Sequence, residues 1–337
     1  MIVLGIESSC DETAAALVAD GRHVFSSVVA SQVAVHHPYG GVVPELASRK
    51  HMEAIVSVVE QAFADAQMTA DAIDALAATQ GPGLVGSLLV GFSFAKAFAF
   101  ARRLPWVGVD HLEGHINSVF LEPAPPDFPF VALLISGGHT AIYHVSGHTE
   151  FQILGQTRDD AVGEAYDKVA KMMGLGYPGG VVIDRLAAQG DPHKIDFPRP
   201  FLDKNGFDFS FSGIKTAVSR YIHNTMPLNA AHQADIAAAF QAAVIDVLVH
   251  KIMLAAEHQD CRHLAIVGGV AANRGLRDRI QRAAEAAGRR VHIPSVGLCG
   301  DNAAMIAAAG FHYLAEGRRA SLDDDVYSRA PVTGSGA

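Results

Sequence analysis

Short apolar runs separated by polar turns open the chain, and the same opening recurs near residue 130. Ile2 to Ile6 ends in the polar turn Glu7-Ser8-Ser9-Cys10-Asp11-Glu12-Thr13. Ala14 to Val18 resumes the apolar pattern, Gly21 and Arg22 turn again, and His23 to Ser31 supplies a third run. This alternation predicts an antiparallel three-strand meander. Pro38-Tyr39-Gly40-Gly41 then breaks the chain before an amphipathic helix at about Pro44 to Ala66, with proline in its first turn. Asp74 to Thr79 is predicted as a strand entering Gln80-Gly81-Pro82-Gly83. Leu84 to Ala101 reads as a helix buried in a protein layer, and Trp106 to Val109 as a strand leading to Asp110 and His111.

Pro123, Pro125, Pro126 and Pro129 mark the expected domain boundary. Beyond it, Phe130 to Ile135, Thr140 to Val145 and Glu150 to Gly155 repeat the meander, with Ser136-Gly137-Gly138-His139 as its first turn. Helices follow at about Asp160 to Met173, Val181 to Gln189 and Ala231 to Glu257, and 191–227 reads as an insertion with little regular pattern. His263 to Val267 is a strand into Gly268-Gly269-Val270-Ala271-Ala272-Asn273, followed by a basic helix to about Ala287 and a strand from Val291 to Pro294. Gly300-Asp301-Asn302 opens a helix through Leu314. The expected domains are 1–122, completed by the C-terminal helix at about 310–330, and 123–309; 331–337 is a loose tail. A duplicated meander followed by helices predicts an α/β protein with two lobes of one topology facing a cleft.

Composition narrows the function classes. The chain has 337 residues, half of them hydrophobic and 18% charged, which describes an ordinary folded core. The first residues lack a basic leader and run at once into acids, which argues against a signal peptide. Three cysteines without paired spacing, Cys10, Cys261 and Cys299, fit a reducing cytoplasm. Lys96 near the middle of Leu84 to Ala101, the nearest thing to a membrane span, argues against one. A formal net charge of −9 argues against a stand-alone nucleic-acid binder. Two basic stretches stand out: Arg274, Arg277, Arg279, Arg282, Arg289 and Arg290, and Arg199, Lys204, Lys215 and Arg220. Both read as solvated faces.

The candidate chemistry starts at His111-Leu-Glu-Gly-His115. Histidines at i and i+4 share one face of a helix and offer two ligands to one cation, although with 17 histidines in the chain the spacing can arise by chance. A zinc-protease helix is disfavoured, because Glu113 lies two residues after His111, roughly 200° around the helix. Asp301, at a helix start, is the best candidate for a third ligand, although its position alone favours a plain N-cap. Asp11 and Glu12 are candidate bases, with solvated turn acids as the alternative. The Gly-rich turns Ser136-Gly137-Gly138, Gly179-Gly180, Gly268-Gly269 and Gly297 to Gly300 favour an anion or nucleotide site that is neither a P-loop nor a Rossmann fingerprint. Asp167, Asp184 and Asn273 lie beside these turns, where they can accept bonds from hydroxyl or amine groups.

Together, Ile6-Glu-Ser-Ser-Cys-Asp-Glu-Thr13, Pro44-Glu-Leu-Ala-Ser-Arg49, Gly81-Pro-Gly-Leu84, His111-Leu-Glu-Gly-His115, Ile135-Ser-Gly-Gly-His-Thr140, Phe211-Ser-Gly-Ile-Lys215 and Gly268-Gly-Val-Ala-Ala-Asn273 resemble the tRNA N6-adenosine threonylcarbamoyltransferase family of bacterial TsaD type, once labelled a glycoprotease. The resemblance spans nearly the whole chain. It implies the two-lobed actin-like ATPase fold shared with Hsp70 and sugar kinases. It also implies transfer of a threonylcarbamoyl group from threonylcarbamoyl-AMP to N6 of the adenosine beside the anticodon in tRNAs reading ANN codons. Carried over by position, His111, His115 and Asp301 would hold one divalent metal, Fe2+ or else Zn2+. The backbone of Leu134, Ile135, Ser136, Gly137 and Gly138, with Asp167, Gly180, Asp184 and Asn273, would hold the adenylate, and ATP or ADP would fit the same place. The implied partners are tRNA, an inert TsaB-type paralogue, a TsaE-type small ATPase and a separate TsaC-type synthase, with no membrane. A kinase or a nucleotide-switch module of the same fold is the alternative reading.

Overall fold

A computed structural model describes residues 1–200, 206–225 and 227–329. They divide into two compact units. The first takes residues 1–125 together with the described residues from Asp301 onward, and the second takes Pro126–Gly300.

In the first unit the opening meander forms β1 (Ile2–Glu7), β2 (Glu12–Ala19) and β3 (His23–Ser31). Next come α1 (Val33–His36), α2 (Pro44–Asp65), β4 (Ala75–Gly81), α3 (Val85–Arg102), β5 (Trp106–Asp110) and α4 (His111–Asn117). The sheet order is β3-β2-β1-β4-β5. The first three strands are antiparallel, and β4 and β5 extend the sheet parallel to β1. Ile55, Val58, Val59 and Ala62 recur along α2 at helical spacing and pack with Leu4, Ile6, Leu17, Phe92 and Trp106. Each large aliphatic side chain buried this way stabilises the unit by about 1.5–3 kcal/mol.

The second unit repeats the plan. It holds β6 (Phe130–Ile135), β7 (Thr140–Gly147), β8 (Glu150–Gln156), α5 (Val162–Met172), α6 (Gly179–Ala187), α7 (Ser212–Thr225), α8 (Ala230–His258), β9 (His263–Val267), α9 (Arg274–Ala286), β10 (Arg290–His292) and α10 (Val296–Cys299). Its sheet order, β10-β9-β6-β7-β8, is that of the first unit with β6 in the place of β1. Again the central strand pairs antiparallel with the next strand and parallel with the one after the first helices. The predicted internal repeat is therefore present as two sheets of one topology.

Three expectations need correction. Part of the stretch 191–227 is regular: Ile214, Val218 and Ile222 share one buried face of α7, and the Asp159 carboxylate accepts from Phe211 N at 2.8 Å and Ser212 N at 3.3 Å at its start. The surrounding proline and phenylalanine masked that four-residue period. The last helix, α11, spans Ala303–Ala315, as its expected opening at Gly300-Asp301-Asn302 required, so the first unit is completed from Asp301 onward and not from about 310. Asn302 caps its start, and Gly317, at φ +85°, closes it in a Schellman turn, with Arg318 N donating to Tyr313 O and Gly317 N to Leu314 O. Finally, α3 buries only one face; Leu89 and Phe100 are exposed, and Lys96 donates to the carbonyls of Leu322 and Asp324. By length and composition α3 and α8 are apolar enough to cross a bilayer, and α8 lies mostly in the second unit's core. The expected tail, 331–337, lies outside the described residues.

Candidate metal centre

The first unit builds a three-donor site from β5, α4 and the segment before α11. Asp110, the last residue of β5, caps α4, its carboxylate accepting from Leu112 N at 2.8 Å and Glu113 N at 3.3 Å. The helix then puts His111 and His115 on one side, ring centres 4.7 Å apart. Gly114 lets α11 come close, since a Cβ there would lie 2.8 Å from Ile306 Cδ1. Asp301 Oδ1 stands 3.1 Å from His115 Nε2 and 3.5 Å from His111 Nε2. One donor atom from each of the three residues fits within 4.8 Å. Two imidazoles and a carboxylate form a borderline nitrogen and oxygen set suited to a divalent transition metal.

Asp301 is not the N-cap of α11. Asn302 holds that position and accepts from Met305 N at 3.0 Å, and the carboxylate one residue earlier faces the histidines. The two roles separate by mutation. Asn302→Ala should lower stability by about 1 kcal/mol, whereas Asp301→Ala should leave the cap in place and cut metal affinity, as read by thermal unfolding and metal titration.

Behind His111 lies Glu7, fully buried at the end of β1. Its Oε2 is 3.1 Å from His111 Nδ1 and accepts the Thr79 hydroxyl, and its Oε1 accepts Ser9 N. Burial disfavours the imidazolium, but Glu7 and Asp301 outweigh it and raise the His111 pKa to about 9. Burial likewise opposes the Glu7 carboxylate, and His111 overcomes it and lowers its pKa. A buried carboxylate on the far ring nitrogen fixes the tautomer and orientation of a metal-binding histidine. His115 has no such support, for its Nδ1 is buried without a hydrogen-bond partner. Sequence reading placed Glu7 in a polar turn. The available signal was its place as the last residue of an apolar strand, where an ionised side chain needs a partner.

The remaining acids sort by their surroundings. Glu113 accepts from the Tyr313 hydroxyl, away from the donor set, in keeping with the absence of a protease helix. Burial raises its pKa to about 7 despite that bond. Glu12, at the head of β2, accepts from Ser31 Oγ at 3.1 Å, and burial together with the charges of Asp301 and Asp11 pushes its pKa up to about 9. Asp11 is buried beside it.

The second unit carries the expected glycine turns. Ser136 and His139 close the β6–β7 hairpin through Ser136 N to His139 O, 2.8 Å, and His139 N to Ser136 Oγ, 3.1 Å. Gly137 and Gly138 are exposed, and a Cβ at either, or at Gly180 or Gly269, would meet nothing within 4 Å. Gly268 is different: at φ +91° a side chain there would run into Ile135 O at 2.5 Å. Leu134 and Ile135 bury their side chains fully, so only their backbone is available to a ligand. Asp167 accepts from Gly179 N at 2.7 Å. Asp184 accepts from Gln241 Nε2 at 3.2 Å and Arg274 Nε at 2.9 Å, and Asn273 caps α9 while donating to Gln241 Oε1 at 2.7 Å. Gln241, unforeseen from sequence, joins these two residues; it lies in the alanine-rich α8, where nothing local marks it.

The family model described as TsaD, tRNA N6-adenosine threonylcarbamoyltransferase, matches residues 23–308. The chain belongs to this family. A tRNA N6-adenosine threonylcarbamoyltransferase of Desulforapulum autotrophicum is 59% identical over 98% of this chain and 99% of its own length. One from Geobacter sp. strain M21 is 56% identical over 98% and 97%. Among solved structures, component A of (R)-2-hydroxyglutaryl-CoA dehydratase from Acidaminococcus fermentans aligns with a TM-score of 0.57 at 16% identity, covering 94% of this chain and 99% of that one. Full-length HypF in its phosphate- and nucleotide-bound form aligns at 0.62 and 13%, covering 92% and 54%. These likenesses establish the fold as the actin-like ATPase type with duplicated units, as the family resemblance implied.

Proposed function

We propose that the chain transfers the threonylcarbamoyl group of threonylcarbamoyl-AMP to N6 of the adenosine 3′ of the anticodon in tRNAs reading ANN codons, with release of AMP. The observation that carries this reading is the family match over nearly the whole chain, in a protein whose two histidines and one aspartate converge on a point. His111, His115 and Asp301 would hold one divalent metal, Fe2+ or Zn2+. When bound, it supplies Lewis acidity toward the donor's phosphate.

The open backbone at Gly137, Gly138, Gly180 and Gly269 gives an adenylate, or ATP or ADP, room to lie against peptide N–H groups, and the start of α6 adds a favourable dipole. Asp167, Asp184 and Asn273 keep lone pairs beyond their structural bonds to receive hydroxyl and amine donors of the nucleotide. Asp11 is the proposed acceptor of the proton lost from the adenine amine. That amine is a poor nucleophile, so orientation supplies much of the rate, and the adenosine must leave its stack to react. A net charge of −9 is repelled by RNA, which fits a protein that works in the cytoplasm with an inert TsaB-type paralogue, a TsaE-type ATPase and a TsaC-type synthase supplying the adenylate.

The test is mass spectrometry of tRNA nucleosides after incubation with threonylcarbamoyl-AMP and these partners. Threonylcarbamoyladenosine should accumulate with time and enzyme. Its absence while donor and tRNA stay intact would overturn the reading.

A further inference from the structure

The second unit has a basic groove that the transfer chemistry leaves unused. It encloses about 510 Å³ between Met172, at the end of α5, and Lys215, Thr216, Ser219, Arg220 and His223 on α7. Thr216, Arg220 and His223 recur at i, i+4 and i+7, with Ser219 beside them, so they share one side of α7 while Ile214, Val218 and Ile222 face the core.

Several cations of the basic stretches are tied down. Arg199 pairs with Asp196 and Asp246, Arg274 with Asp184, and Arg277 donates to the carbonyls of Ala271 and Pro294. In the groove itself Lys215 pairs with Asp160, which also holds Lys168. Arg220 is exposed and has no ion-pair or hydrogen-bond partner among the described residues, and the same holds for Lys171, next to Met172 in the chain. Within the groove, the charge not held by a carboxylate therefore lies at the Arg220 end, beside the exposed Ser219 hydroxyl, while the Thr216 hydroxyl donates to Ser212 O at 2.8 Å.

A guanidinium next to a serine hydroxyl is the chemistry that receives a phosphodiester. The overall charge selects a polyanion that touches the chain locally. With −9 spread over the molecule, an RNA backbone can settle only where unneutralised cations cluster.

We infer that the groove between α5 and α7 binds the phosphate backbone of the RNA substrate, with Arg220 supplying charge and Ser219 supplying a hydroxyl donor. This rests on the proposed transfer to tRNA. It adds a docking surface contained wholly within the second unit.

The test uses the full chain with its partners and compares wild type, Arg220→Glu and Arg220→Lys. Arg220→Glu should raise KM for tRNA about tenfold at moderate salt, keep kcat within about twofold, and reduce the slope of log affinity against log salt by about one. Arg220→Lys should retain most of the affinity, and all three proteins should bind threonylcarbamoyl-AMP equally. Unchanged tRNA affinity and salt slope in Arg220→Glu would overturn the groove, as would a fall in kcat with KM unmoved. Binding of tRNA by wild type that depends on Arg220, without any modification, would overturn the transfer reading and support the groove.

Discussion

Replacing His111 by alanine is expected to abolish metal binding and lower tRNA modification by at least about a hundredfold, a loss on the scale seen when metal-ligand geometry fails. The same substitution should destabilise the first unit by about 3–5 kcal/mol, because Glu7 is fully buried and loses its cationic partner. These two losses have different causes and separate in a double variant. With Glu7→Gln added to His111→Ala, much of the stability should return, since an amide needs no counter-charge, while metal and activity stay absent. Metal analysis of the purified protein and thermal unfolding of all four combinations read the outcome. Full activity in His111→Ala would remove the metal assignment. Equal instability in the single and double variants would show that Glu7 and His111 are not coupled.

Metal affinity should also climb steeply with pH. In the metal-free protein the His111 pKa is raised to about 9, chiefly through Glu7 and Asp301 acting against burial. A ligating nitrogen must first lose that proton, so the apparent affinity should rise by about tenfold per pH unit from near neutral and flatten above pH 9. Glu7→Gln should shift the break toward ordinary histidine values. Stability of the metal-free protein moves in the opposite direction. A raised histidine pKa contributes stability fully present below about 6.5 and lost as pH rises through 9. The lowered Glu7 pKa contributes stability present above its unfolded value near 4.5 and lost on acidification. Calorimetric titration between pH 6 and 9.5 measures the affinity. A flat profile would mean that the pair carries no proton to displace.

Much of this protein is legible in its sequence for identifiable reasons. Short apolar runs ending in polar turns locate both meanders, because strands such as β1, β2 and β6 are buried on both faces and read as continuous apolar stretches. The pair at His111 and His115 is readable because helical spacing alone brings the rings together. Asp301 is harder. At a helix start, aspartate and asparagine cap equally well, and only the structure shows that Asn302 does the capping. Glu7 shows locally only that it needs a partner and Gln241 shows nothing, because their roles depend on partners far away: His111, 104 residues from Glu7, and Asp184 and Asn273 for Gln241. The regular part of 191–227 was hidden by composition, since proline and aromatic residues around α7 outweighed its three apolar positions.

The first unit is discontinuous in the chain, and this orders events during synthesis. Pro126–Gly300 is one uninterrupted stretch, whereas the first unit lacks α11 until residues beyond Asp301 have been made. Asp301 follows His115 by 186 residues, roughly 10–40 s of translation at about 5–20 residues per second. A ribosome-bound chain therefore displays the two histidines well before the carboxylate that completes their set. Metal acquisition is tied to chain completion, and a nascent protein stalled before residue 301 carries both imidazoles without the third ligand.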